Sequence, residues 1–138
     1  MIVLDTSGLL AALDTSERTH AAARSVLMRE EGPLVLSPFV LAELDYLIGS
    51  RNVEAELALL RDVGARAYQL EPMTSEDIVQ ATRLVEKYRD LAIGLADASI
   101  VLLAERAKTK RLLTLDERHF RAIRPLSGGR FVLLPADA

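Results

Sequence analysis

The sequence contains no cysteine or tryptophan, and only two histidines among its 138 residues. Without thiols, the chain has no disulfides, thiolate metal sites or cysteine nucleophiles. Two histidines are too few for a His-rich metal site. Aromatic residues make up only 4% of the chain, so the core must be aliphatic. Any metal would rest mainly on carboxylates, which select Mg²⁺ or Mn²⁺.

Long apolar runs are also missing, which argues against a membrane protein. No run reaches the length of a membrane span. The segment Met1–Asp5 lacks the basic region of a signal peptide. We therefore predict a cytoplasmic protein that does not contact a membrane. The mean hydropathy of +0.18 is high for a soluble monomer and favours a partner-covered surface. A chain of this length predicts one domain over residues 1–138.

Charge is unevenly distributed along the chain. Residues 1–90 carry 9 Lys and Arg against 15 Asp and Glu, whereas residues 91–138 carry 8 against 5. Binding to phosphates requires a local patch of Lys and Arg side chains, and it does not require a positive net charge of the whole chain. On charge alone, a solvated face is the more ordinary interpretation.

Predicted strands alternate with predicted helices. Apolar runs at 1–4, 34–36, 67–70, 111–115 and 131–134 indicate strands. Helical patterns cover 8–13, 17–29, 38–49, 53–64, about 75–88, 95–107 and 116–123. Ser37-Pro38 and the pair Thr74 and Asp77 mark helix starts. This alternation predicts an α/β fold, a three-layer α/β/α sandwich around a mainly parallel sheet of four to five strands.

Two carboxylates end predicted strands. Asp5 follows the first strand and Asp116 follows the fourth. The C-terminal ends of parallel strands share one edge of the sheet, where ligands bind in such folds. Each residue has a structural alternative, because Asp is a preferred N-cap.

Two further carboxylates lie on apolar helical faces without a basic residue within one turn. Asp97 is flanked at helical spacing by Ile93, Ile100 and Val101. Such a charge needs a partner. The alternatives are a metal and a long-range salt bridge to an arginine. Glu43 repeats the pattern, and we expect it to be the more exposed of the two.

Together, the four acids predict a carboxylate cage. Like charges held close repel one another, and a divalent cation removes that cost. The hydroxyls of Thr6, Thr114 or Ser7 are placed to bond a ligand water or a carboxylate oxygen. A backbone bond near a helix start is the structural alternative, and we favour it for Ser7.

Four segments resemble the PIN-domain ribonucleases, specifically the VapC-type toxins of toxin–antitoxin pairs. They are Ile2-Val3-Leu4-Asp5-Thr6-Ser7, Ser37-Pro38 through Ala42-Glu43-Leu44, Gly94-Leu95-Ala96-Asp97-Ala98, and Leu113-Thr114-Leu115-Asp116-Glu117-Arg118-His119-Phe120. Each motif alone is weak, but their order and spacing cover essentially the whole chain. No acidic position of the family pattern is missing.

The resemblance implies a Mg²⁺-dependent endoribonuclease, with Mn²⁺ as a substitute. Its acidic site would consist of Asp5, Glu43, Asp97 and Asp116, with Asp5 and Asp97 most directly tied to the metal. Thr6 and Thr114 match hydroxyl positions that line this site. One- and two-metal mechanisms, and the separate roles of Glu43 and Asp116, stay open at this point.

The resemblance also implies partners. RNA would be the substrate, a VapB-type antitoxin the inhibitor, and a homodimer the assembly. The basic stretch around Asp116 then becomes a candidate RNA surface. For His119, packing or a phosphate contact is favoured over general-acid catalysis. The RNA-binding candidates are Arg118, His119, Arg121, Lys110 and Arg111.

Two other functions compete with the nuclease. Strand-Asp-Thr also begins the haloacid-dehalogenase phosphatase motif, but that motif needs a second Asp where this chain has Ser7. A PIN-like module that binds RNA or protein without cutting it is the other alternative. Loss of one acid would favour that module, and none is lost.

Overall fold

Strands and helices alternate through residues 1–138, all of which the computed structural model describes. The strands are β1 (Ile2–Leu4), β2 (Leu34–Leu36), β3 (Gln69–Leu70), β4 (Arg111–Leu113) and β5 (Val132–Leu134). The helices are α1 (Thr6–Leu13), α2 (His20–Arg29), α3 (Pro38–Gly49), α4 (Val53–Gly64), α5 (Ser75–Lys87), α6 (Leu95–Ala107) and α7 (Glu117–Ala122). A 3₁₀ turn at Arg89–Leu91 precedes α6.

The five strands form one parallel sheet in the order β3-β2-β1-β4-β5. Central strand β1 pairs on both sides, and Val3 lies opposite Val35 in β2 and Leu112 in β4. Helices flank the sheet, so the α/β architecture predicted from sequence is confirmed.

The strand order reverses at β1. From β1 the chain moves outward through β2 to β3, then returns to place β4 on the other side of β1. Parallel crossovers are right-handed, so the two directions of travel carry their helices on opposite faces. A crevice opens at such a reversal, at the C-terminal ends of the strands. This topology places the ends of β1 and β4 side by side.

An aliphatic core holds the layers together. It is one cluster of 29 buried residues, including all three residues of β1, which have no exposed surface. Burying a large aliphatic side chain contributes roughly 1.5–3 kcal/mol. Phe120 and Phe131 add an edge-to-face aromatic pair near β5. None of the helices combines the length and apolar composition that a membrane crossing requires.

Local capping explains why several helices begin where the sequence predicts. Ser37 accepts a hydrogen bond from the Phe39 amide at 3.1 Å, and Pro38 follows as the first residue of α3. Thr74 and Asp77 form a reciprocal capping box at α5. These side chains satisfy amide groups that otherwise lack partners at a helix start.

Other predicted boundaries are wrong by a few residues. Helix α1 begins at Thr6 rather than residue 8, because Asp5 caps it. Helix α2 begins at His20 rather than residue 17, since the preceding residues form turns. Strand β4 ends at Leu113 rather than residue 115, because the chain then turns into α7. Strand β3 is only two residues long.

Candidate active site

A cleft of about 640 Å³ lies at the reversal point of the sheet. All four acids singled out from the sequence line it: Asp5, Glu43, Asp97 and Asp116. No Lys or Arg belongs to its lining, and His119 is the one lining side chain able to carry positive charge. The cleft therefore concentrates negative charge without a permanent cation to balance it.

Asp5 is the most buried of the four acids. Its residue surface is 6% exposed, and it caps α1 by accepting a hydrogen bond from the Thr6 amide at 2.8 Å. The N-cap alternative raised by the sequence is therefore real, and it coexists with the position in the cleft. Burial raises the pKa of Asp5 to about 6, although its hydrogen bonds oppose that rise.

Two hydroxyls hold the other oxygen of this carboxylate. Thr114 donates to Oδ2 of Asp5 at 2.6 Å, and Ser7 donates to the same atom at 2.9 Å. The Ser7 hydroxyl also accepts from the Leu115 amide at 2.9 Å. Ser7 thus makes a backbone bond near a helix start, which the sequence favours, and bonds a carboxylate of the cleft as well.

Asp97 lies in the first turn of α6, with its side chain 19% exposed. Burial raises its pKa; His119 opposes the rise, and the charges of Asp116 and Glu43 add to it. No arginine contacts Asp97, so the proposed long-range salt bridge to arginine is absent. Its nearest cationic partner is instead the His119 ring, with Nδ1 3.2 Å from Oδ2.

Asp116 caps α7 and also faces the cleft. Its Oδ1 accepts a hydrogen bond from the His119 amide at 3.0 Å, and its Oδ2 lies 3.0 Å from His119 Nδ1. The Thr114 hydroxyl accepts from the Asp116 amide at 2.9 Å. One hydroxyl therefore links the acid after β1 to the acid after β4.

Glu43 and Thr6 complete the lining. Glu43 is exposed on α3, as the sequence predicts, and its negative charge contributes to the raised pKa of Asp97. Thr6 is only 6% exposed, yet its Oγ1 has no hydrogen-bond partner. A buried hydroxyl is normally satisfied by protein or water. An unpaired hydroxyl in the cleft wall is thus available to a ligand.

The RNA-binding candidates do not converge on this cleft. Lys110 precedes β4 and Arg111 begins it, so both lie at the N-terminal ends of the strands, whereas Asp116 lies beyond the C-terminal end of β4. Arg111 forms an ion pair with Glu30 and bonds the Met1 carbonyl. Arg121 is held by Glu117 and Asp137 at 2.9 and 2.6 Å. Of the five candidates, His119 lines the cleft, and Arg118 is exposed beside it in sequence without an acidic partner.

The donor set suits a divalent cation. Single ligand atoms from Asp97, Asp116 and His119 all lie within 4.8 Å of one another. Asp5 adds a buried carboxylate to the same cleft, and the unpaired Thr6 hydroxyl remains available. Hard oxygen ligands favour Mg²⁺, Ca²⁺ or Mn²⁺. The residues therefore fit a metal-assisted hydrolase.

The sequence predicts His119 on an RNA-binding surface, whereas the structure places it between Asp97 and Asp116. The available signal was the three-residue spacing of Asp116 and His119 at a helix start, since such residues share one face. The bond from Ser7 to Asp5 spans only two residues, whereas its bond with the Leu115 amide depends on the side-by-side ends of β1 and β4.

Comparisons with known proteins agree with this architecture. The PIN-domain family model matches residues 2–125. Ribonuclease VapC26 of Mycobacterium tuberculosis (strain ATCC 25618 / H37Rv) is 48% identical over 135 residues, covering 97% of this chain and all of the relative. The crystal structure of Mycobacterium tuberculosis VapC20, described as a Sarcin-Ricin loop cleaving toxin, superposes with a TM-score of 0.77. That likeness covers 84% of this chain and 90% of the other at 19% identity, and supports the fold alone. The chain therefore belongs to the PIN-domain family, among its VapC-type ribonucleases.

Proposed function

We propose that this protein is a Mg²⁺-dependent endoribonuclease toxin that hydrolyses RNA phosphodiester bonds at the acidic cleft. One observation carries the proposal: four carboxylates share a cleft of about 640 Å³ whose lining has no Lys or Arg. Such a group of acids needs an external cation to coexist in ionised form. The relative's name, ribonuclease, supports RNA as the substrate.

The proposed roles follow from burial and contacts. Asp5 and Asp97 would hold the cation, because they are the two most buried acids of the cleft. Ser7 and Thr114 would orient the Asp5 carboxylate. Glu43 and Asp116, which are nearer to solvent, would orient the attacking water or hold a second ion. When bound, the cation supplies charge stabilisation to the phosphate and lowers the pKa of a water.

Cleavage of total cellular RNA tests the proposal. The wild-type protein should cut RNA with Mg²⁺ and stop when EDTA is added. Asp5→Asn and Asp97→Asn should each lose cleavage, whereas the exposed Asp90→Asn control should cut like wild type. If both site variants cut as fast as wild type, the metal-nuclease assignment is wrong. If the wild type binds RNA without cutting it, the non-cutting binding module is the better description.

We further propose a homodimer and inhibition by a VapB-type antitoxin. Exposed apolar side chains on α1, α3 and α4 support a covered surface, including Leu13 (38% exposed), Tyr46 (75%) and Leu60 (40%). A second cavity of about 560 Å³ lies among these helices, and none of the four acids of the cleft lines it. Leu9, also on α1, is fully buried in the core and does not belong to this surface.

Sedimentation equilibrium tests the assembly. The wild-type protein should sediment as a dimer or, with its antitoxin, as a larger complex. Leu13→Glu and Leu60→Glu should weaken at least one of these associations, because each places a charge in an apolar contact. A monomeric wild type that no antitoxin inhibits would contradict this part of the proposal.

A further inference from the structure

His119 occupies the space between two carboxylates of the cleft. Its Nδ1 lies 3.2 Å from Oδ2 of Asp97 and 3.0 Å from Oδ2 of Asp116. The nitrogen is buried, yet neither contact has the geometry of a directed hydrogen bond, so Nδ1 has no hydrogen-bond partner. His119 lies in the first turn of α7, whose N-cap is Asp116.

We propose that His119 is a direct metal ligand through Nδ1, together with Asp97 and Asp116, and that this mixed set prefers Mn²⁺ to Mg²⁺. The inference rests on the metal dependence proposed above and deepens it. It refines the roles proposed above: Asp116 joins Asp5 and Asp97 at the same cation, and His119 adds one nitrogen ligand to these carboxylate oxygens.

The spacing of the three atoms supports direct ligation. An octahedral ion about 2.1 Å from each ligand separates neighbouring ligands by about 3 Å. The two distances from Nδ1 match that separation. Ligand atoms from Asp97, Asp116 and His119 all lie within 4.8 Å of one another, so small side-chain movements would bring them onto one ion.

A second observation points independently to a ligand in this cleft. Thr6 lines it, is 6% exposed, and keeps an unpaired Oγ1. A hydroxyl in that position is suited to a water carried by the bound ion. Two unpaired polar atoms in one cleft wall, one from α1 and one from α7, indicate a site that is completed by a bound group.

The nitrogen ligand determines the preference between ions. Carboxylates suit both Mg²⁺ and Mn²⁺, whereas imidazole binds transition ions better than it binds Mg²⁺. Replacing one oxygen ligand by Nδ1 therefore raises the affinity for Mn²⁺ relative to Mg²⁺. The rival role for His119 is a counter-cation that balances the two acids and leaves when a metal arrives.

Pulsed electron paramagnetic resonance of the Mn²⁺-loaded protein separates these two roles. A directly bound imidazole gives a ¹⁴N coupling to Mn²⁺, while a displaced counter-cation gives none. The chain has only two histidines, and His20 bonds the Ala11 carbonyl outside the cleft. His20→Gln is therefore a matched control that should keep the coupling, and His119→Gln should lose it.

Calorimetric titration with each ion provides the second measurement. His119→Gln should lower Mn²⁺ affinity by roughly tenfold or more, since even outer-shell losses reach that size. Its Mg²⁺ affinity should change by less than about threefold. Circular dichroism confirms that each variant is folded before it is titrated.

The outcomes separate this inference from the proposed function. A wild-type protein that binds Mn²⁺ without nitrogen coupling, or a His119→Gln protein that binds Mn²⁺ as tightly as wild type, overturns the inference. Cleavage of RNA by that same wild type with Mg²⁺ would leave the proposed function standing. A wild type that binds neither ion and cuts no RNA would overturn both.

Discussion

Thr114 donates its hydroxyl hydrogen to Oδ2 of Asp5 across 2.6 Å, although the two residues are 109 positions apart in the chain. The bond joins the end of β4 to the end of β1. The same hydroxyl accepts from the Asp116 amide. Thr114 is therefore the polar link between two acids that adjacent strands bring to the cleft.

Replacing Thr114 by valine removes this link while conserving shape. We expect Thr114→Val to lose about 1–3 kcal/mol of stability, since it leaves buried polar groups unpaired. It should also raise the pKa of Asp5 further, because the Thr114 bond lowers it. The pH of half-maximal RNA cleavage should then move upward. Thr114→Ser keeps the hydroxyl and should keep the wild-type profile; an unchanged profile in Thr114→Val would contradict the link.

The buried carboxyl of Asp5 predicts a pH dependence of stability in EDTA. Its pKa rises from 3.8 to about 6 on folding. The protonated form is favoured in the fold, so its stabilising contribution is full below about pH 3.8 and is lost as pH rises through 6. Between pH 4 and 7.5, wild type should lose up to about 3 kcal/mol relative to Asp5→Asn.

Urea unfolding at several pH values checks this trend. Asp90→Asn is the control for removal of one exposed negative charge. A stability difference between wild type and Asp5→Asn that stays constant with pH would contradict the prediction, because it would mean that folding does not raise the pKa of Asp5. Saturating Mn²⁺ should reduce the difference, because a bound cation stabilises the ionised form.

Asp97→Asn separates the function of this residue from its structural role. The substitution removes repulsion from Asp116 and Glu43 as well as a desolvated charge. We expect the melting temperature in EDTA to hold or rise, while RNA cleavage falls at least about 100-fold, or roughly 2.7 kcal/mol in the barrier. A loss of more than about 3 kcal/mol in stability would instead show that Asp97 is a structural ion-pair partner of His119.

Close packing of α1 on β4 predicts different effects at two glycines. A Cβ on Gly8 would lie 2.3 Å from the Leu113 carbonyl oxygen, which is backbone and cannot rotate away. Gly8→Ala should therefore cost about 1–3 kcal/mol. Gly64, at the end of α4, has open space around its Cβ position. Gly64→Ala should be neutral or stabilise by up to about 1 kcal/mol in urea unfolding. Equal effects at both sites would contradict the packing.

Arg118 and Arg111 should differ in RNA binding. Arg118 is exposed next to the cleft-lining His119 and has no acidic partner. Arg111 pairs with Glu30 at the N-terminal end of β4, away from the cleft. In an Asp97→Asn background, Arg118→Ala should weaken binding of a labelled RNA and reduce the salt slope by about one. Arg111→Ala should leave the RNA affinity unchanged and lower the melting temperature. Equal RNA losses for both would place the binding surface elsewhere.

Several parts of this fold are predictable from sequence because local chemistry determines them. Ser37-Pro38 and the Thr74–Asp77 capping box fix the starts of α3 and α5. The convergence of Asp5 and Asp116 also follows, since Asp5 comes directly after β1 and Asp116 lies three residues beyond the end of the parallel strand β4. These inferences need only the side chains near each terminus and the shared edge of parallel strands.

Other parts depend on the three-dimensional path of the chain. The sequence does not reveal that β4, rather than β3, lies beside β1, and therefore cannot assign Thr114 to Asp5. The rotation of α7 that turns His119 toward Asp97 is also set by tertiary packing. By contrast, the separation of Lys110 and Arg111 from the cleft is predictable from the sequence, because they lie at the start of the strand that Asp116 follows.

The pairing of β1 with β4 also sets the order in which the cleft comes into existence. During synthesis, Thr114 and Asp116 are added about a hundred residues after Asp5. Until then, one edge of β1 lacks its neighbour, and no contiguous early fragment contains the complete set of acids. Pairing of distant segments is also slow relative to local helix formation. A chain that ends before Thr114 and Asp116 therefore lacks the complete acidic cleft.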